Sequence, residues 1–400
     1  MQPTASTDIV IIGGGIAGLW LLTRLRQAGF QAILLESTAL GSGQTHKAQG
    51  IIHGGMKYAL QGVMTADAQA ISSMPARWQA CLAGQGEIDL SIVPILSTQQ
   101  HLWSTNTFAA KLTGFFASTT LTSSVITLNK TDYPSAFQHP AFKGEVLALD
   151  EIVIDVPALV RTLAKINQGF IFHVDAVLAQ DLHWDTQGRL HAISISRASK
   201  ALTLQTQHVV FTAGAGNELL ATSLPSPGIA MQRRPLHMVW VKIPFQHAVY
   251  AHCLGLSARP RITITTHYHS DGSYIWYLGG ALAEEGVTRT PAAQIQAART
   301  ELQTLFHWLD FSKAEFATFM IDRAEPWQKS GFKPDHAYCK TLANVTVAWP
   351  TKLALAPQLA DDILQELAKL AITPAAKQPA SLDALHDWPA PPVAPAIWEC

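Results

Sequence analysis

Gly13, Gly15 and Gly18, followed by an acid at Glu36, are the residues whose types and spacing most directly specify chemistry. In a GxGxxG run the first glycine permits a tight turn. The second lets backbone approach a pyrophosphate, and the third lets a helix pack close on a strand. An acid about twenty residues further on can accept hydrogen bonds from both ribose hydroxyls. These residues read as a site for the ADP half of a dinucleotide.

The elements that must position them are present in the right order. Asp8 to Ile12 is a short β-branched run, which predicts a buried strand. Ile16 to Ala28 carries apolar residues at helical spacing, with Gly29 placed to end the helix. Gln31 to Leu35 predicts a second strand that delivers Glu36. Strand, loop, helix, strand and terminal acid together are far more specific than the glycines alone. The loop that follows, "STALGSGQTHKAQGIIHGGMKYAL", is too rich in Gly, Ser, Thr and Gln for a core and is placed to run beneath the rest of a cofactor.

Thr65 to Leu82 predicts a helix, and 88–142 predicts strands and a short helix in a separate layer. "DEIVIDVPALVRTLAKI" predicts a strand and then a helix from about Pro157, capped by Asp155. A meander returns to a buried strand at Val209 to Thr212 and a second small-residue turn, Ala213 to Gly216. Asp271-Gly272 reads as a hairpin turn between alternating strands. Pro291 to Leu309 and Gln358 to Ala371 predict helices, with an apolar strand at Val345 to Ala348. Thr373 to Cys400 is rich in Pro and Ala and is expected to wrap over the surface without regular structure.

At 400 residues the chain has room for two domains, and 48% hydrophobic against 14% charged residues describes a compact, apolar protein. A formal charge of −1 supplies no field to attract nucleic acid, so no nucleic-acid partner is expected. No apolar run reaches the roughly 20 residues needed to span a bilayer, and the N-terminus lacks a secretory pattern. The expectation is a cytoplasmic enzyme, with peripheral contact to the inner membrane face left open. Cys81, Cys253, Cys339 and Cys400 are scattered and predict reduced thiols. The 16 histidines form no ligand pair by spacing, so no metal is expected.

At this point the residues resemble a known group, the glutathione-reductase-type flavoproteins of the D-amino-acid oxidase superfamily. Within it they are most similar to the flavin-dependent glycerol-3-phosphate dehydrogenases. "SGQTHKAQGIIHGGMKY" (Ser42 to Tyr58) resembles that family's loop SGTSSxSxKLIHGGLRY without a gap. "RRPLHMVWV" resembles its KGSHIVV strand, placing His237 on the active-site histidine. Arg323 in "DRAEP" resembles the arginine of GxRPL, and Lys352 in "WPTKLALAP" the lysine of GGKxTTYR. Lys57 stands where the family has Arg, and the Lys352 turn lacks the family's second Thr and Tyr-Arg. The substrate is therefore read as a class.

The resemblance implies an α/β fold: a glutathione-reductase-type, Rossmann-like FAD domain with a second, mainly antiparallel β substrate domain. The expected FAD domain is discontinuous, over 1–87, 145–224 and 323–372. The substrate domain covers 88–144 and 225–322, and the tail 373–400. FAD is expected to be held noncovalently: some relatives tether flavin to a histidine in the loop of His46 and Lys47, but that position falls nearer Lys47. The expected FAD contacts are Gly13, Gly15, Ile16, Ala17, Gly18, Glu36, Ser37, Ser42, Gly43, Gln44, Gln49, Val177, Ala213, Gly214, Thr351, Lys352 and Leu353.

Dehydrogenation needs a C–H bond held against the flavin, a base for the departing proton, and charge to fix the substrate. His237 is the expected base, with His53 as rival, although the glycines beside His53 favour a role in shaping the loop. His53 and Tyr58 are otherwise expected to touch substrate. Lys57, Arg323 and Lys352 are cations in apolar or glycine-rich contexts, and buried cations are costly without a compensating anion. They predict a small anionic substrate, a 2-hydroxy acid or phosphorylated polyol oxidised at CH–OH.

Two alternatives stay open: an amine or amino-acid oxidase acting at CH–NH, and a non-catalytic flavin-binding assembly protein. The electron acceptor is left among oxygen, a quinone and a carrier protein. The tail, with Trp388 and Trp398, is left as a candidate contact for a membrane, a partner or the chain's own body.

Overall fold

The computed structural model describes residues 3–54, 71–105, 125–225, 228–254, 259–329, 334, 336–375 and 382–399. Within them the chain builds two eight-stranded sheets. The first runs in the order Tyr338–Leu342, Val345–Trp349, Lys200–Phe211, Thr4–Ile12, Ala32–Glu36, Ile171–His173. Thr4–Ile12 is paired in parallel on both sides, with Lys200–Phe211 and with Ala32–Glu36. Its sequence is apolar at consecutive positions because both faces are covered. Ile9 and Ile11 enter one core cluster and Val10 and Ile12 another.

Helix Ile16–Gln27 covers the first face, flanked by Val156–Ile166 and Ala356–Lys369. Asp155 caps the second of these by accepting the Ala158 N–H at 2.7 Å. The strands Leu182–Trp184 and Leu190–Arg197 extend the sheet, and Leu385 and Trp388 join the cluster on the opposite face.

The second sheet runs Glu315–Pro326, Met231–Ile243, Tyr274–Gly279, Pro260–Tyr268, Ala251–Leu254, Gln100–Ser104, Glu145–Leu149, Val125–Thr127. Its pairs are antiparallel except that Ala251–Leu254 runs parallel to Gln100–Ser104. Helix Pro291–Leu305 packs on one face through Ala298, Leu302 and Leu305, against Val239, Val241, Trp276 and Leu278. The other face carries Leu236, Met238, Tyr277, Phe319 and Ile321.

Two boundaries differ from the expected ones. Glu145–Leu149 belongs to the second sheet because it hydrogen-bonds Gln100–Ser104, and Arg323 lies on a second-sheet strand that continues to Pro326. The described tail has little regular structure beyond a turn at Leu382–Leu385. Val393 bridges to Leu40, with Leu40 N–H donating to Pro392 O at 2.8 Å and Ala394 N–H to Leu40 O at 3.0 Å. Trp398 lies over His267, ring centroids 4.5 Å apart, and both Trp388 and Trp398 are buried. The described tail is docked on the chain's own body, and the two aromatic groups offered to a membrane or partner are already covered. Among the described residues no helix is long and apolar enough to cross a membrane.

Candidate active site

The end of strand Thr4–Ile12 turns at Gly13, where φ is +115° and an added Cβ would sit 2.6 Å from the Ala213 Cα. Only glycine lets the two small-residue strand ends approach so closely. At Gly18 a side chain would collide with the carbonyl oxygen of Gly13, so this glycine seats the helix on the turn. Gly15 is different. Among the described residues a Cβ there meets only the Thr45 hydroxyl, at 3.2 Å, and its free side opens into a cavity.

Helix Ile16–Gln27 has no acid in its first turn and no side-chain cap, apart from Ile16 N–H donating to Thr45 Oγ1 at 3.0 Å. Its positive end is therefore left at the cavity, as an anion site requires. The Glu36 carboxylate accepts Gly14 N–H at 2.7 Å, and Thr38 N–H and Oγ1 each at 2.8 Å.

The cavity has a volume of about 620 Å³. Gly13, Gly15, Ile16, Ala17, Glu36 and Ser37 form one end. Ser42, Gly43, Gln44, Gln49, Val177, Ala213 and Gly214 line it further along. Leu236, Met238, Ile321 and Arg323 of the second sheet, His53, and the turn Thr351, Lys352 and Leu353 also line it. Every expected FAD contact thus borders the cavity except Gly18, which acts from behind. The clearance beside Gly15, a helix N-terminus and an acid at the strand end fit the phosphates and ribose of a dinucleotide, so the residues present suit FAD. Thr351 has φ +59°, a conformation disfavoured for a residue with a β-branched side chain, and its hydroxyl donates to His336 O at 2.9 Å.

The expected catalytic residues divide. Arg323 borders the cavity. Its cross-strand neighbour Arg234 is held bidentate by buried Glu325, at 2.7 and 2.9 Å. Arg323 itself meets Glu284 only at 3.7 Å, and Glu284 is taken by Arg259 at 2.8 Å. Burial and then the Arg234 charge lower the Arg323 pKa, against Glu284 and Glu325, which raise it. Lys352 borders the same cavity.

His237 does not reach it, which corrects the expected base. Successive side chains of a strand face opposite ways, so with Leu236 and Met238 toward the cavity His237 points to the helix-covered face. There its Nδ1 donates to Gly286 O at 2.8 Å, and its own carbonyl accepts from Gln294 Nε2 at 2.8 Å. Lys57 and Tyr58 lie outside the described residues. Lys47 borders the cavity, while the His46 ring is buried with Nδ1 3.2 Å from Pro395 O.

The rival histidine is the one at the cavity. His53 Nδ1 lies 3.3 Å from Glu151 Oε2, and Gly54 N–H donates to Glu151 Oε1 at 2.8 Å. His252 lies beneath, its ring stacked 6.2 Å from that of His53. These three side chains bring one potential ligand atom each within 4.8 Å of the others, a grouping that the absence of a spacing motif did not foresee. Sequence reasoning missed Glu151 and His252. The only local signal was an acid set directly before a buried apolar run.

A dinucleotide cradle at the carboxyl ends of a parallel sheet, facing a second antiparallel sheet across one cavity, defines a flavin-dependent oxidoreductase fold. The chain belongs to the DAO family of FAD dependent oxidoreductases, whose pattern it matches over residues 8–336. It is an enzyme, and its cofactor is FAD.

It is 46% identical over 405 residues to a probable FAD-dependent oxidoreductase, PA4991, of Pseudomonas aeruginosa, covering 100% of this chain and 99% of that one. The crystal structure of PA4991 superposes with a TM-score of 0.83 at 41% identity, over 100% and 99% of the two chains. An FAD-bound L-α-glycerophosphate oxidase of Mycoplasma pneumoniae shares the fold at TM-score 0.65 and 13% identity, over 91% and 95%. Glycine oxidase of Geobacillus kaustophilus does so at 0.67 and 16%, over 95% and 99%.

Proposed function

We propose that the protein oxidises the CH–OH group of a small anionic substrate, a 2-hydroxy acid or a phosphorylated polyol resembling glycerol 3-phosphate. Bound FAD would supply the hydride acceptor, N5 of its ring. The observation that carries the reading is the placement of Arg323 and Lys352 on one cavity with His53. Arg323 offers a planar fork at the cavity that a carboxylate or phosphate could engage. Glycerophosphate and glycine, the compounds for which two fold neighbours are named, each carry an anionic group, which agrees with a cationic pocket.

The choice of alcohol over amine rests on the base. A hydroxyl must give up its proton as the hydride leaves, whereas a neutral amine needs no base for the same transfer. His53 lines the cavity with a carboxylate behind it, as an alcohol oxidation would use. Lys352 is placed to fix the substrate anion or the charge that develops on reduction. The test is a titration of the oxidised holoenzyme with unreactive carboxylates and phosphate esters, followed by the flavin absorbance. Binding should weaken by about 1.5–3 kcal/mol, roughly 10- to 150-fold, in Arg323→Leu. Equal affinity of the variant for these anions overturns the anionic assignment.

A further inference from the structure

We propose that Glu151 is a positioning residue for His53: its carboxylate holds the proton on Nδ1 and thereby presents an unprotonated Nε2 to the cavity. The proposal deepens the reading of the site as one that oxidises an alcohol, and rests on it. His53 is 42% exposed at its side chain and borders the cavity, whereas Glu151 is almost fully buried. Both carboxylate oxygens are committed, Oε2 to His53 Nδ1 at 3.3 Å and Oε1 to Gly54 N–H at 2.8 Å. The second bond runs to the residue after His53, so one carboxylate fixes backbone and ring together. Among the described residues no hydrogen bond reaches His53 Nε2. A neutral imidazole carries one proton, and a carboxylate acceptor on Nδ1 draws it there.

The surroundings support this assignment. Burial works to raise the Glu151 pKa, yet it lies below the ordinary carboxylate value, and in the neutral state of His53 the ring Nδ1–H and the Gly54 N–H are the donors that favour the anion. Glu151 is thus an anion, able only to accept. Burial pushes His252 down to about 4, so it remains a neutral platform. Its Nδ1 lies 2.8 Å from the Thr263 hydroxyl, which fixes the ring on the second sheet. The acid comes from the start of the segment before Val153–Ile154, 98 residues along the chain from His53. With an alcohol bound, the hydroxyl proton would pass to His53 Nε2 as the C=O bond forms, and bound FAD would accept the hydride from carbon.

The experiment is long-range 1H–15N spectroscopy of histidine-labelled holoenzyme, with His53 assigned by loss of its signals in His53→Asn. In the neutral ring the wild type should show protonated Nδ1 and bare Nε2. In Glu151→Gln the amide can donate toward Nδ1, so the tautomer should invert to Nε2–H. FAD content should be retained. Flavin reduction by a reactive alcohol should then fall roughly 10²- to 10⁴-fold with little change in substrate affinity.

A wild-type Nε2–H tautomer overturns the proposal by itself, whether or not the variant folds. An unchanged tautomer in Glu151→Gln overturns it too. So does Zn²⁺ added to the holoenzyme ligating His53 Nδ1 at micromolar concentration, because Glu151 would then be a metal ligand. If no alcohol reduces the wild-type flavin, the proposed reaction fails while the tautomer result stands on its own.

Discussion

Gln49 and Tyr277 tie the loop beneath the cofactor to the second sheet. The Gln49 amide donates to the Tyr277 carbonyl at 2.9 Å, and the Tyr277 hydroxyl donates back to the Lys47 carbonyl at 2.7 Å. Burial pushes the Tyr277 pKa upward, so the phenol remains a donor at any working pH. Gly279 keeps the approach open, since a Cβ there would lie 2.5 Å from Gln49 Oε1. These contacts tie the loop beneath the cofactor site to the second sheet.

Tyr277→Phe should leave the partly buried Lys47 carbonyl without its donor. The expected loss is about 1–3 kcal/mol of stability, measured by denaturant unfolding of the holoenzyme, together with weaker FAD retention. Wild-type values for both would mean that the tie supports neither.

Gly15→Val should abolish FAD binding, because the new side chain enters the space left for the pyrophosphate. The apoprotein should keep its fold, as read by circular dichroism. A yellow Gly15→Val protein with wild-type affinity would reduce the glycines to a structural turn.

His237→Phe separates a structural from a chemical role. It removes the donor to the buried Gly286 carbonyl and should cost about 1–3 kcal/mol of stability. Flavin reduction by substrate should proceed at the wild-type rate. A collapse of that rate with stability intact would restore His237 as the base.

Acid should destabilise the protein earlier than its carboxylates alone require. Burial is the first cause that lowers His208 and His252 to about 4 and His267 to about 3. Folded pKa values lie below the unfolded 6.5, so the unfolded chain binds more protons through this window. The contribution is complete above pH 6.5 and is lost as pH falls toward about 4, at up to about 1.4 kcal/mol per pH unit for each group. Melting temperature against pH checks this, and a flat profile from 6.5 to 4.5 would contradict it.

What the sequence disclosed was mostly local. The strand, turn and helix around Gly13 to Gly18 were legible because each element is specified by its own residues, and Asp155 announced its helix by position alone. His237 falls away from the cavity because its motif identifies a strand position, whereas its facing depends on which side helix Pro291–Leu305 covers. Glu151 meets His53 only through tertiary pairing, and no periodicity reports that. The tail was hidden for the same reason: a Pro- and Ala-rich stretch has no pattern of its own, and its order comes from the bridge to Leu40 and the burial of Trp398.

The most direct test of the account is anaerobic bleaching of the flavin by matched panels of 2-hydroxy acids, phosphorylated polyols, amino acids and uncharged alcohols. The account predicts reduction by a member of the first two panels, none by the uncharged alcohols, and a rise in the concentration needed by roughly 10- to 150-fold in Arg323→Leu. Reduction by amino acids alone, or by uncharged alcohols as readily as by anions, would contradict it.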